Sequence, residues 1–166
     1  CKACPECNGK ACRNQMPGPG SKGIGDTAIR NYDKWKEIRL QMDTIAENKP
    51  VDTSLELFDK TFQYPFFAGP VGAVQLHYGD CQTDVTYNDI LVSACAEYGI
   101  AAFTGDGIDS NVMVAATKAI QKTDGIGIPT VKPWNLDTIK EKMDLVHASK
   151  AFAVAMDIDA AGLPFL

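Results

Sequence analysis

Cys1, Cys4, Cys7 and Cys12 carry the sharpest chemical signal in this chain, at C-x2-C-x2-C-x4-C spacing. Four thiolates this close suit tetrahedral zinc or an iron–sulfur cluster. The first three match the start of a ferredoxin-type run, and the fourth does not. Disulfides and metal-free reduced thiols are the competing states. Cys81 and Cys95 stand apart, and Cys95 reads as a small buried hydrophobe on a helix face.

Lys132 closes an apolar run, where an ammonium group needs a partner to offset its desolvation. An anionic ring or ion would serve, and so would Asp157 or Asp159. Those two acids read as a general-base pair, a metal site or, more simply, as solvated groups or the partners of a base. Gly105 and Gly107 would let backbone N–H groups approach an anion or a flat ring. Gly-Asp-Gly is also an ordinary turn, and that is the first reading here. His147 lies near a helix end and reads as structural. His77 reads as a surface-loop residue. Nothing orders a Ser/His/Asp or Cys/His triad.

The elements that must position these groups follow from periodicity and punctuation. Residues 1–25 are rich in Cys, Gly and Pro and disfavour regular structure. Ile29, Tyr32, Trp35, Ile38 and Met42 recur at helical spacing and predict a helix over 28–42. Leu55–Phe58, a turn at Asp59-Lys60, and a strand over Phe62–Ala68 come next. Helices are expected over 88–97, stopped at Gly99, and over 111–122. A third follows an Asn135 N-cap, with Leu136, Ile139, Met143 and Val146 on one face. Strands are expected over 100–104, 127–131 and 152–157. Short apolar strands alternating with helices imply a parallel sheet covered on both faces. Each expected strand ends in polar or Gly-rich residues, so four carboxyl ends should line one site.

The chain has 166 residues, 45% of them hydrophobic, and a net charge of −5. Its apolar content suffices for a core, which excludes a disordered chain. The acidic balance argues against a generic nucleic-acid binder. No apolar run approaches the ~20 residues of a membrane span. A cytoplasmic location is expected.

These residues together resemble the FMN-dependent α-hydroxy-acid dehydrogenase and oxidase family, in particular bacterial members with a cysteine-rich leader. The likeness rests on Cys4-Pro5-Glu6-Cys7 through Cys12-Arg13, on Gly23-Ile24-Gly25-Asp26 with Asn31 and Trp35–Leu40, and on Leu57-Phe58 through Pro65 to Pro70-Val71-Gly72. It continues through Phe103–Gly107, Val131–Trp134 and Met156–Gly162. The resemblance implies a (β/α)8 TIM barrel with FMN at the carboxyl ends of its strands. It places Gly69, Pro70, Val71, Gly72, Thr104, Gly105, Lys132 and Asp157 at cofactor-binding positions. Lys132 would face the flavin, where a cation stabilises the reduced ring. Two departures stand out. Ala155-Met156 replaces the family's usual threonine before the strand-four acid, and no tyrosine stands beside Gly23.

A complete barrel takes ~250 residues and eight strands. About four β/α units are legible, so the fold expected is α/β, the amino-terminal half of a TIM barrel. A Cys-rich leader and opening helix over 1–50 precede a half barrel over 51–166. The reaction implied is oxidation of a small α-hydroxy acid to the α-keto acid. The base histidine and substrate arginine are expected outside this chain, and the intact enzyme is expected to be a homo-oligomer. A piece of this kind would be inactive alone, with exposed sheet edges that favour self-association. Two alternatives stand beside it: from another class, a non-catalytic zinc or iron–sulfur module built on the leader cysteines, and, third, another FMN- or phosphate-binding barrel enzyme.

Overall fold

The computed structural model describes residues 27–158, and the chain divides into two units, Cys1–Pro50 and Val51–Leu166. The leader cysteines and Asp159 lie outside the described residues. In the first unit, α1 runs over Thr27–Glu37 and carries the surface pairs Lys34–Glu37 and Lys36–Asp33. The helix expected to reach residue 42 stops five residues earlier. Ile38, Leu40 and Met42 are exposed, so their apolar spacing earns no burial, and short helices depend on that burial more than on propensity.

The second unit opens with an antiparallel hairpin, β1 (Leu55–Leu57) and β2 (Lys60–Phe62), paired Leu55↔Phe62 and Leu57↔Lys60. The two-residue turn is Phe58-Asp59, with φ of 49° and 60°. That is the left-handed pair a tight hairpin requires. The expected strand over 62–68 is mostly irregular and touches the parallel sheet through one bridge, Ala68↔Ala102. Pro65 has no N–H to give a ladder. The segment instead contributes aromatic packing. Phe62 meets Phe67 edge-on at 4.7 Å and Phe152 at 5.5 Å, which ties the hairpin to the residues just before the last strand.

Next come α2 (Val74–Tyr78), α3 (Asp84–Glu97), β3 (Phe103–Thr104), α4 (Ser110–Lys122), β4 (Ile128–Val131), α5 (Leu136–Ser149) and β5 (Ala155–Met156). His77 therefore lies on a short helix rather than in a loop. The strands form a parallel sheet in the order β3-β4-β5, with Phe103↔Ile128 and Thr130↔Ala155 in register. Every neighbouring pair is joined through a helix, the βαβ pattern expected of a parallel sheet. α3 starts four residues before the expected Asn88, because Thr83 and Thr86 form a reciprocal capping box. Asn135 caps α5 as expected, its Oδ1 accepting from the Thr138 N–H at 3.0 Å.

The helix-side core has two parts. One gathers Val92, Cys95, Ile100, Ala102, Ala119 and Ile120. Burial pushes the Cys95 thiol up from its ordinary pKa, in keeping with a small hydrophobe. The other gathers Met113, Val131 and Val146. A Cβ on Gly127 would meet the Ile120 side chain. Residues 127 and 131 of this segment thus face the helices, and alternation sends Ile128, Thr130 and Lys132 to the opposite face. Register carries Ala155 and Asp157 to that same face.

Candidate functional site

The carboxyl ends of the sheet are bound to one another by side chains and close backbone packing. Asp106, in the loop after β3, is the hub. Its Oδ2 accepts the Lys132 backbone N–H at 2.9 Å and the Trp134 indole N–H at 2.7 Å. Its Oδ1 accepts the Gly107 N–H at 2.9 Å and the Lys142 ammonium at 2.7 Å. Four donors on one carboxylate fill its acceptor capacity. The Asp106 side chain is 0% exposed and that of Lys142 9%. Lys142 also lies over the Trp134 ring, 5.4 Å from its centroid.

Lys132 extends from the end of β4 and meets Asp157, at the end of β5, at 3.0 Å. This pair is only half-buried, with side chains 19% and 31% exposed. The partner expected for Lys132 is therefore present. The loop after Ala68 joins from the other side. Gly105 lies so close to it that a Cβ there would overlap the Val71 carbonyl. Gly72 sits beside the Asp106 carbonyl, 3.4 Å from where its own Cβ would be. Loop ends from Ala68, β3, β4 and β5 thus converge, as strand alternation predicts.

Of the sequence-predicted positions, Gly105 and Thr104 are buried, Val71, Gly72, Lys132 and Asp157 are half-buried, and Gly69 and Pro70 are exposed. The Gly105 N–H donates to Asn88 Oδ1 at 3.3 Å. Among the described residues three buried polar atoms lack a partner: Thr104 Oγ1, Thr130 Oγ1 and Asn88 Nδ2. Thr130 shares with Lys132 the sheet face opposite the helices. Thr104 alternates with Phe103 and falls in register with Pro129, on the face toward α3 and α4.

Sequence reasoning missed Asp106, Trp134, Lys142 and Thr130. Gly105-Asp106-Gly107 first reads as a plain turn, yet its central acid is the most heavily bonded group of the site. Lys142 was readable in principle. It stands four residues before Val146 on α5, and a lysine on a buried helix face demands a carboxylate. The expected apolar face of α5 is corrected accordingly: Lys142, Val146 and Ser149 are buried, whereas Leu136 and Met143 are exposed. Among the described residues no group of three or more His, Cys, Asp or Glu is placed to hold a metal ion.

A family model described as FMN-dependent dehydrogenase matches residues 19–164. The chain belongs to the FMN-dependent dehydrogenase family. That supports an FMN oxidoreductase, and the converging strand ends are where a parallel α/β fold binds its ligand. No curated protein and no solved structure matches the chain. Among the described residues no helix is long and apolar enough to cross a membrane.

Proposed function

We propose that the strand ends around Lys132 form one wall of the FMN site in an enzyme that oxidises a small α-hydroxy acid to the α-keto acid. On this reading the described sheet belongs to the amino-terminal half of a (β/α)8 barrel. The observation that carries it is the placement of Lys132. Its ammonium stands at the carboxyl edge of the sheet, on the inward face, where strands β4 and β5 and the loop after β3 meet.

The residues present fit the cofactor. The pyrimidine edge of a flavin offers hydrogen-bond acceptors and takes negative charge on reduction. Lys132 supplies a cation beside it. Thr130 brings a buried hydroxyl that has no partner among the described residues, and a bound ring edge would satisfy it. The segment Gly69-Pro70-Val71-Gly72 offers a backbone with little side-chain bulk for close approach to a flat ring. Bound FMN supplies the two-electron acceptor. Asp157 holds Lys132 in place and partly offsets its charge, which keeps the ammonium from wandering into solvent. Thr104, at the end of β3, is buried and its hydroxyl also has no partner among the described residues.

The test uses the protein that carries this chain, purified and titrated with FMN without oxygen. The expected result is stoichiometric flavin that is bleached by at least one of glycolate, lactate or mandelate. Lys132→Met should bind oxidised FMN nearly normally and reduced FMN more weakly. Absence of flavin binding, or bound flavin that no α-hydroxy acid reduces, would reject the reading.

A further inference from the structure

The four-donor grip of Asp106 has a geometry that packing alone does not require. Residues 132–134 form a tight turn in which the Trp134 N–H donates to the Lys132 carbonyl at 2.8 Å. Such three-residue turns fix the direction of the side chains that flank them. Both ends of this turn are held by one carboxylate oxygen. Asp106 Oδ2 takes the Lys132 N–H at the front and the Trp134 indole at the back. The other oxygen is saturated by Lys142 and Gly107. Lys142 also faces the Trp134 ring, so the indole is fixed both at its N–H and on its face.

Burying a carboxylate–ammonium pair this deeply is a poor route to stability, since apolar residues of similar volume often do as well. What the pair does achieve here is orientation. The Lys132 backbone is clamped just where β4 ends, and its ammonium is left to emerge toward Asp157.

We infer that Asp106 is a positioning residue for the cofactor. Through the Lys132 N–H and the Trp134 indole it sets where the Lys132 ammonium meets the reducible edge of the flavin, and Lys142 holds that carboxylate in place. The inference rests on the FMN reading above and adds a residue that touches neither cofactor nor substrate.

A double-mutant cycle tests it. The flavin-loaded protein that carries this chain is compared as wild type, Asp106→Leu with Lys142→Met, Lys132→Met, and all three changes together. Dissociation constants for oxidised and for reduced FMN are measured anaerobically. The Asp106/Lys142 change should weaken reduced FMN about tenfold more than oxidised FMN, the scale of one charge-assisted contact. In the Lys132→Met background the same change should leave that ratio unaltered, because the residue it acts through is gone.

An equal ratio penalty in both backgrounds would overturn the inference and leave Asp106 as a general fold support. Failure of the wild type to bind either form of FMN would reject the functional reading and this inference with it. Normal wild-type binding with an additive cycle would reject this inference alone. If the leucine variant does not fold, Asp106→Ala with Lys142→Met runs through the same cycle and must give the same pattern. If neither folds, the positioning role is rejected in favour of a structural one.

Discussion

The Lys142 ammonium lies 2.7 Å from Oδ1 of Asp106, and both side chains are withdrawn from solvent. The pair joins the middle of α5 to the loop after β3, 36 residues apart in sequence. Removing one partner alone strands a buried charge. Lys142→Met should therefore cost about 3–5 kcal/mol of folding free energy. Adding Asp106→Leu should recover part of this loss, because the uncompensated carboxylate goes with it. About 1–3 kcal/mol should remain lost, since the Gly107 and Lys132 N–H groups and the Trp134 indole keep no acceptor. Urea denaturation of the two variants beside wild type checks the order. A double variant less stable than Lys142→Met would contradict it.

Gly105 makes the second join, and it does so through backbone. A Cβ there would overlap the Val71 carbonyl, with the Gly72 Cα close behind. Backbone atoms cannot swing aside as the tip of a long side chain can. Gly105→Ala should push the loop after Ala68 away from the loop after β3, at a cost of about 1–3 kcal/mol, the usual scale of overpacking. FMN affinity should fall alongside stability. Gly107→Ala is the control: a Cβ there meets nothing within 4 Å. Equal losses for the two variants, in thermal melts and flavin titrations, would show that the close approach is not what matters.

Much of this arrangement was legible in the residues, and the limits have physical causes. The run 127–131 reads as a strand because it is short, mostly apolar and free of charge, and β4 is indeed buried at all four residues. Gly99 and Asn135 mark helix limits because a stop and a cap are local chemistry. Local rules fail where tertiary partners decide. Five described residues cannot be read as α2 from apolar spacing, because a helix that short shows little period. The strand expected at Phe62–Ala68 has suitable residue types, but its aromatic rings are used to close the amino end of the sheet rather than to extend a ladder.

The site shows the same division. Convergence of the strand ends follows from topology alone, and the Lys132–Asp157 pairing follows from desolvation. Asp106 could not be reached that way. Its four donors come from Gly107 beside it and from three residues 26 to 36 positions later. Only the folded chain brings them together. A buried lysine on α5 was the one local clue that a carboxylate was needed somewhere.

The two described cysteines should separate cleanly in a labelling experiment. Cys81 is exposed and Cys95 buried. Burial raises the Cys95 pKa above its ordinary 9.0, so the thiolate that would react is scarce as well as inaccessible. Peptide mapping after a short pulse of iodoacetamide at neutral pH should find Cys81 modified and Cys95 intact. The sign of the linkage adds a second outcome. A raised folded-state pKa means that the folded chain holds the thiol proton more tightly than the unfolded chain. This contribution to stability is complete below the unfolded value and declines as pH rises through 9 and beyond. Cys95→Ala should show a smaller loss of stability over that alkaline range. Rapid labelling of Cys95 at neutral pH would contradict the buried placement.

The Lys132–Asp157 pair sets a balance of charge that the proposed cofactor would feel. At 3.0 Å the carboxylate offsets part of the ammonium's field, and the pair is half-exposed, so solvent weakens the coupling. Asp157→Asn keeps the volume and a hydrogen-bonding oxygen but removes the negative charge. Lys132 then presents its full charge to the reducible edge of the flavin, and the reduced ring gains stabilisation. The flavin midpoint potential should rise by about 30 mV, the two-electron equivalent of ~1.4 kcal/mol. Lys132→Met should shift it the opposite way by a similar amount. In the combined variant the Asp157 change should have little further effect, because the charge it modulates has been removed. Potentials measured by xanthine-oxidase-coupled dye equilibration decide the case. If both single variants move the potential in the same direction, Lys132 is not the group through which Asp157 acts on the flavin.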